Sequence, residues 1–586
     1  MKNIIVKILF LVPFLVACDD LFTPAIENNP GIENMYNDPN FAQGIMANGY
    51  TRIPIDGWSF NDVATDDAVT NDKNNSYMKM ATGAWTSSNN PMDQWASCRA
   101  AIQYLNLFLA GSDKVHWSDT LRINTMINDR MKGEAYGLRA LYMYYLLQAH
   151  GGWTADGKLL GVPIVLTPED KNSDFNQPRA TFEECMQQIY ADVSQAEQLL
   201  PLDFGNDAPI PAKYASMGVS QGDYNRVFGD QLRLRMTARI AKAFRAKAAL
   251  LAASPAFAAG TTTTWDNVAN YAADLLDRIG GVSGLASNGY TWYTNKTDIA
   301  NISNGLNPAE ILWRSNGIDN SASMEATHFP PTLSGSGRLN PTQNLVDAFP
   351  MANGYPISDV ANSGYNPQNP YANRDPRLAA YIVYNGSTAG PSNTVINTAA
   401  DGTTNDALGK VETSTRTGYY MKKLLRQDAN PNPSSTNNQQ HYKPRIRYTE
   451  IFLIYAEAAN EAYGPTGTGS HNYSAYDVIK AIRRRAGVGT SNGDPYLESV
   501  KNDKTAMRQL IRNERRLELC FEGFRFWDLR RWQAPITDEA QGVSIVKGVY
   551  SNISVEDRAY KDYMYYGPIP YSEILKFNAL AQNKGW

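Results

Sequence analysis

Eleven tryptophans and 34 tyrosines in 586 residues are the side chains best able to recognise a ligand here. A flat ring can cover the C–H face of a hydroxylated ring compound, while short polar groups beside it take up the hydroxyls. Three tryptophans have such companions. Trp85 lies in Gly83-Ala84-Trp85-Thr86-Ser87-Ser88-Asn89-Asn90, and Trp292 lies in Asn288-Gly289-Tyr290-Thr291-Trp292-Tyr293-Thr294-Asn295. Trp313 follows Glu310-Ile311-Leu312, a predicted strand, and precedes Arg314-Ser315-Asn316-Gly317. Asn89, Tyr293 and Arg314 are the candidate partners of those rings, and Trp58, beside Gly57 and Ser59, is the next candidate platform. Trp95, Trp265, Trp527 and Trp532 fall in helical patterns and are assigned to packing.

Other chemistries find little support. The chain carries 54 basic and 58 acidic residues, a formal charge of −4, which excludes a strong basic field for nucleic acid. Five histidines and four cysteines show no metal-ligand spacing, and no acidic loop of EF-hand form occurs, so no metal or cofactor is expected. No HExxH, Walker A or GxSxG motif is present. Gly402 to Lys410 ends like a phosphate loop, but Val411 replaces the hydroxyl residue that a magnesium ion needs. A glycoside hydrolase is the alternative of another class, because 58 acidic residues can supply a carboxylate pair about 5–10 Å apart. No catalytic residue is assigned.

The elements that must position these side chains are mostly helices. Trp95, Cys98, Ile102, Leu105 and Leu109 recur at three and four, then reach Gly111. Ala135, Leu138, Tyr142, Tyr145 and Ala149 do so before Gly151-Gly152. Thr181 and Glu184 form a capping box ahead of Phe182 to Leu200. Residues 236–253 are rich in alanine, and a further helix is predicted over 265–279. Helices over 448–463, 475–486 and 505–521 are each expected to close on a left-handed glycine, Gly464, Gly487 and Gly523. Residues 281–440 are rich in Asn, Thr, Ser, Gly and Pro and read as a loop-rich region on a helical scaffold. Cys98, Cys185 and Cys520 sit among apolar residues and are expected to be buried free thiols. At the N-terminus, Lys2 and Lys7 precede an apolar run, Ile8 to Ala17, too short to span a bilayer and laid out like a secretory signal. Leu15-Val16-Ala17-Cys18 looks like a bacterial lipobox, with Cys18 the lipidated residue.

Several blocks resemble one family. Glu514-Arg515-Arg516-Leu517-Glu518-Leu519, Phe521-Glu522-Gly523 and Trp527-Asp528-Leu529-Arg530-Arg531-Trp532 are similar to the C-terminal signature of SusD/RagB lipoproteins. Pro444-Arg445-Ile446-Arg447-Tyr448 with Tyr455-Ala456-Glu457-Ala458 resembles the same family's helix. Asn340-Pro341-Thr342, Arg374-Asp375-Pro376-Arg377, Gly418-Tyr419-Tyr420 and the ending Gln582-Asn583-Lys584-Gly585-Trp586 agree as well.

The resemblance implies a mainly α fold, a tetratricopeptide-like helical-repeat scaffold with a loop-rich ligand-binding region. The divisions expected are a signal peptide at 1–17, a lipidated tether at 18–40, helical regions at 41–280 and 441–586, and the ligand-binding region at 281–440. It also implies a non-catalytic surface lipoprotein, anchored in the outer membrane through Cys18, that captures a glycan and delivers it to a SusC-type TonB-dependent transporter. The family's ligand region maps onto the surroundings of Trp85, Trp292 and Trp313. Asp66 and Asp67, in Thr65-Asp66-Asp67-Ala68, match a family stretch and become candidate acceptors of sugar hydroxyls. Three rings in a row would suit an extended β-linked glucan such as xyloglucan. Peptide or glycopeptide capture, as in the RagB branch, is the alternative. Glu518, Glu522, Arg525 and Asp528 are assigned structural roles, paired with one another or with helix ends.

Overall fold

The computed structural model describes residues 31–55, 57–302 and 305–586. The signal segment and Cys18 lie outside the described residues. Helices dominate, and successive long helices pack on one another. Pro39–Thr51 (α1) lies against Trp95–Gly111 (α2), and α2 lies against Leu121–His150 (α3). The series continues through Phe182–Leu199 (α4), Ala238–Ala253 (α5) and Trp265–Leu276 (α6) to Tyr448–Tyr463 (α7). Ala475–Arg485 (α8) and Lys504–Leu519 (α9) both pack on α7, and Arg525–Arg531 (α10) follows. This is a tetratricopeptide-like stack of helix pairs.

Local chemistry accounts for the ends and the close packing. The Thr181 hydroxyl accepts from the Glu184 amide at 3.1 Å while the Glu184 carboxylate accepts from the Thr181 amide at 2.7 Å, so α4 starts on the predicted capping box. Gly133 and Gly137 let α3 approach its neighbours: a methyl at Gly133 would stand 2.6 Å from Leu200 Cγ, and one at Gly137 would stand 2.6 Å from Met236 Cγ. Gly487 takes φ 90° after α8, while Gly464 closes α7 with φ 82° and ψ 173°, a positive-φ conformation outside the expected left-handed helical region. The third glycine differs. α9 ends at Leu519, Phe521 itself adopts φ 63°, and Gly523 lies two residues further on in the turn into α10. Cys98, Cys185 and Cys520 are buried and unpaired.

A second core, around Trp292, Leu345, Tyr381, Tyr419 and Phe521, lies under the loops. Buried charge joins it to the helices. Arg377, with no exposed side-chain surface, reaches Asp375 at 2.6 Å, Glu514 at 2.9 Å and Glu518 at 3.1 Å. Arg485 adds 2.9 Å to Glu518, and Arg447 adds 2.8 Å to Glu522. Asp528 receives Arg515 and Arg531, each at 2.8 Å. Burial alone would raise the Glu518 pKa, but Arg485, Arg377 and Arg447 outweigh it and hold the carboxyl at about 2. The signature residues therefore serve as a structural lock between α9 and the loops above it.

Candidate functional site

Two short strands bring distant loops together. Ala68–Thr70 (β1) pairs antiparallel with Leu339–Pro341 (β2), with Thr70 opposite Leu339. The segments leading into and out of these strands enclose a cavity of about 350 Å³. Phe60, Met324 and Leu339 form its apolar wall, and Asp72, Asn75, Ser323, Thr327 and Arg338 supply polar groups. Phe60 opens the short helix Asn61–Ala64 with φ 48° and ψ 34°, a left-handed conformation uncommon for a bulky side chain. Behind it the rings continue inward. Trp58 stacks on Phe60 at 6.2 Å and 24°, and Trp292 stacks on Trp58 at 6.3 Å and 20°. Lys443 Nζ stands 3.7 Å from the Trp58 ring centre, a cation–π contact that pins the ladder.

His328 is the distinctive polar group of this cavity. It is 5% exposed, its ring lies 4.6 Å from Phe60, and Nδ1 makes no hydrogen bond. Burial, and then the charge of Arg338, push its pKa down to about 3, so it is a neutral imidazole at physiological pH. Arg338 Nη1 donates to Asn71 Oδ1 at 3.2 Å, and Asn71 Nδ2 donates to the carbonyls of Ser336 and Gly337, each at 3.0 Å. The Asp72 carboxylate accepts from the Asn74 amide at 2.9 Å. An apolar ring face and a rim of donors and acceptors fit a polyhydroxylated ligand.

Comparison with known proteins fixes the lineage. The sequence pattern of the SusD family matches residues 309–586, and that of a family described as starch-binding and associating with the outer membrane matches residues 41–220. The chain belongs to the SusD family. A SusD-like protein of Formosa agariphila is 36% identical over 87 residues, a stretch that spans 15% of this chain and 16% of that relative. A SusD-like protein from Bacteroides fragilis has the same fold, with a TM-score of 0.71 at 22% identity over 94% of this chain and 98% of that one. A SusD-like carbohydrate-binding protein from the same organism gives a TM-score of 0.66 at 22% identity, over 93% and 99%.

Within this SusD-family fold, the residues expected to form the platform are dispersed and buried. Trp85 is 3% exposed; its Nε1 donates to Asn90 Oδ1 at 2.9 Å, and its ring packs 4.8 Å from Trp586. Trp313 is fully buried, donates to the Leu234 carbonyl at 2.8 Å and meets Phe244 edge-on. Trp292 is 2% exposed at the inner end of the ladder, with Tyr293 buried beside it. Arg314 is buried, with Nη2 donating 2.6 Å to the Ile302 carbonyl. Asp66 and Asp67 are occupied by two arginines of the family block. Arg516 reaches them at 2.9 and 2.6 Å, and Arg525 reaches Asp66 at 2.8 Å. Asn89 is exposed, but its amide donates to the Ala84 carbonyl at 2.8 Å and closes a tight turn. Among the described residues Trp85, Trp292 and Trp313 form no common platform: Trp85 and Trp292 turn inward from their polar segments, and Trp313 sits on the buried part of the strand Ile311–Ser321 with Arg314 and Ser315 buried beside it.

Trp58 stands behind the site and does not line it; it is the half-buried second ring of the ladder, stacked on Phe60. Phe60, Asp72, Asn75, Met324, His328 and Arg338 escape a sequence reading. Their only local signal is position: Phe60 follows Trp58 by two, and 71–75 is a polar run after a short apolar strand.

Proposed function

We propose that this SusD-family protein is a non-catalytic surface lipoprotein, anchored through Cys18. It captures an oligosaccharide or polysaccharide at the Phe60 cavity and passes it to a SusC-type TonB-dependent transporter. The observation that carries the capture step is the cavity itself: the Phe60 ring face backed by a stacked ladder, with Asp72, Asn75, Ser323, Thr327 and Arg338 as a polar rim. Family membership supports the setting, and the carbohydrate-binding relative from Bacteroides fragilis supports the ligand class. Phe60 offers one ring face to the cavity, which suits a sugar unit docked at a point more than a long chain laid flat. The preference for an extended β-linked glucan such as xyloglucan rested on three exposed rings and loses its support.

The test is calorimetry of the protein begun after Cys18 against xyloglucan, mixed-linkage β-glucan, galactomannan, starch, levan and mucin glycans, with a peptide mixture as comparison. Binding to one glycan, weakened at least tenfold in Phe60→Ala and in His328→Phe, is expected. Binding to peptide alone would move the protein to the peptide-capturing branch. Glycan binding untouched by both variants would place the site elsewhere.

A further inference from the structure

We propose that a second cavity, at the beginning of α2, binds one ring of a neutral sugar. It has a volume of about 220 Å³ and is walled by the first turns of α2, the connection between α3 and α4, and the short helix Tyr571–Lys576 with Phe577 behind it. Hydrogen bonds fix both edges. Gln103 on α2 donates from Nε2 to the Glu169 carbonyl at 2.7 Å, and its Oε1 accepts from the Glu169 amide at 3.0 Å. Asn176 donates from Nδ2 to Asn578 Oδ1 at 2.7 Å, and its Oδ1 accepts from the Ala579 amide at 3.0 Å. The walls are therefore set before a ligand arrives. Among the described residues only two phenylalanine, tyrosine or tryptophan side chains are exposed, Phe175 and Tyr571. Both belong to the segments that wall this cavity, and Phe175, 44% exposed, lines it. A ring held open to solvent on a loop tied down on both sides is a platform for the C–H face of a sugar.

The charges around that ring select a neutral partner. The lining holds two cations and two anions, already matched: Arg99 lies 3.7 Å from Glu169, and Lys576 lies 2.7 Å from Glu573. Arg99 and Glu169 keep 25% and 19% of their side-chain surface, and Lys576 and Glu573 keep 59% and 19%, so all four stay open to a ligand. A carboxylate or phosphate drawn to either cation meets the carboxylate beside it. An ammonium drawn to either anion meets the cation beside it. Hydroxyl groups donate to the carboxylates and accept from the guanidinium and the ammonium without adding charge. The volume exceeds the roughly 150 Å³ of a cavity that holds benzene and falls short of the roughly 300 Å³ at which pockets for larger organic ligands begin, which limits the occupant to about one ring. No residue lines both this cavity and the Phe60 cavity, so the two sites can fail separately.

The test uses saturation-transfer NMR on the Phe60→Ala protein, in which the first site is removed, with D-glucose, D-galactose and D-xylose as probes. D-glucuronate and D-glucosamine are the charged comparators. At least one neutral sugar is expected to bind saturably, and each charged comparator at least fivefold more weakly. Adding Phe175→Ala should weaken the neutral sugar at least fivefold, whereas Phe175→Trp should retain it. Phe175 is exposed, so both variants should melt at the temperature of the Phe60→Ala protein. Three results would overturn the site: no saturable binding of a neutral sugar to the Phe60→Ala protein; binding that Phe175→Ala leaves intact; or tighter binding of a charged comparator. In the first case, binding that persists in the parent protein keeps the Phe60 site and removes only this one.

Discussion

Phe60 sits in a left-handed conformation that costs a bulky residue on the order of 1–3 kcal/mol, and it does so where its ring faces the cavity. Trp85 has ordinary backbone angles and a ring enclosed by Trp586, Phe526 and Tyr560. The two aromatic residues should therefore respond oppositely to truncation. Trp85→Ala is expected to lower folding stability by about 3–5 kcal/mol, with glycan affinity of the folded fraction unchanged. Phe60→Ala should change stability little and weaken glycan binding about tenfold, which denaturant melts and calorimetry on both variants will separate. A titratable residue supplies a further prediction. Asp62 is fully buried, with Oδ1 accepting from the Phe521 amide at 3.0 Å and Oδ2 unmet. Burial, and then the charge of Asp67, raise its pKa to about 7. Between about pH 4 and 7 the unfolded chain has released this proton and the folded chain still holds it. Rising pH then removes about 1.4 kcal/mol of stability per unit from this group. His328, with its folded pKa at about 3, acts in the opposite sense below about 6.5. Asp62→Asn keeps the acceptor and removes only the first slope. Relative to the parent it should gain stability steadily from pH 4 to 7 and no more above that, as read from urea melts across the range.

At the scale of elements, the buried charges of α9 decide more than its apolar stripe. Glu518 takes Arg377 and Arg485 in a site with no exposed side-chain surface on the glutamate. Glu518→Gln leaves two guanidinium groups short of charge in that interior, and breaking such a pair costs about 3–5 kcal/mol. The expected result is a large loss of thermal stability with early loosening of the Asp375–Tyr381 segment, visible as faster hydrogen exchange there than in α1 to α4. What was legible in the sequence follows the same division. The helices from Trp95 to Leu519 could be read because their apolar spacing repeats every three to four residues and needs no partner to be seen. The capping box at Thr181 and the structural role of Glu518 and Asp528 were likewise local or motif-borne. The site was not legible, because exposure of a ring depends on contacts far along the chain. Trp85 is covered by Trp586, 501 positions away, and Asp66 is consumed by Arg516 and Arg525. Phe60 and Arg338 meet only through the β1–β2 pairing, which three-residue strands do not announce.

For the whole molecule, the arrangement separates attachment from recognition. The Phe60 cavity is assembled from loops held on the helical stack by buried ion pairs. Its described walls begin at Ser59, forty-one residues beyond Cys18. No helix among the described residues is long and apolar enough to cross a membrane; the attachment proposed is lipid at Cys18. A single acyl chain holds a protein on a bilayer only marginally, whereas two or more anchor it stably. Cys18→Ala should therefore act as an all-or-none change in location. The protein should move from the membrane pellet to the soluble fraction of fractionated cells. The purified variant should bind glycan with the affinity of the chain begun after Cys18, within a factor of two, and melt at the same temperature. Phe60→Ala should do the reverse, staying in the membrane pellet while losing glycan. If Cys18→Ala instead weakened glycan binding by itself, the lipidated segment would be part of the recognition surface, and the separation drawn here would fail.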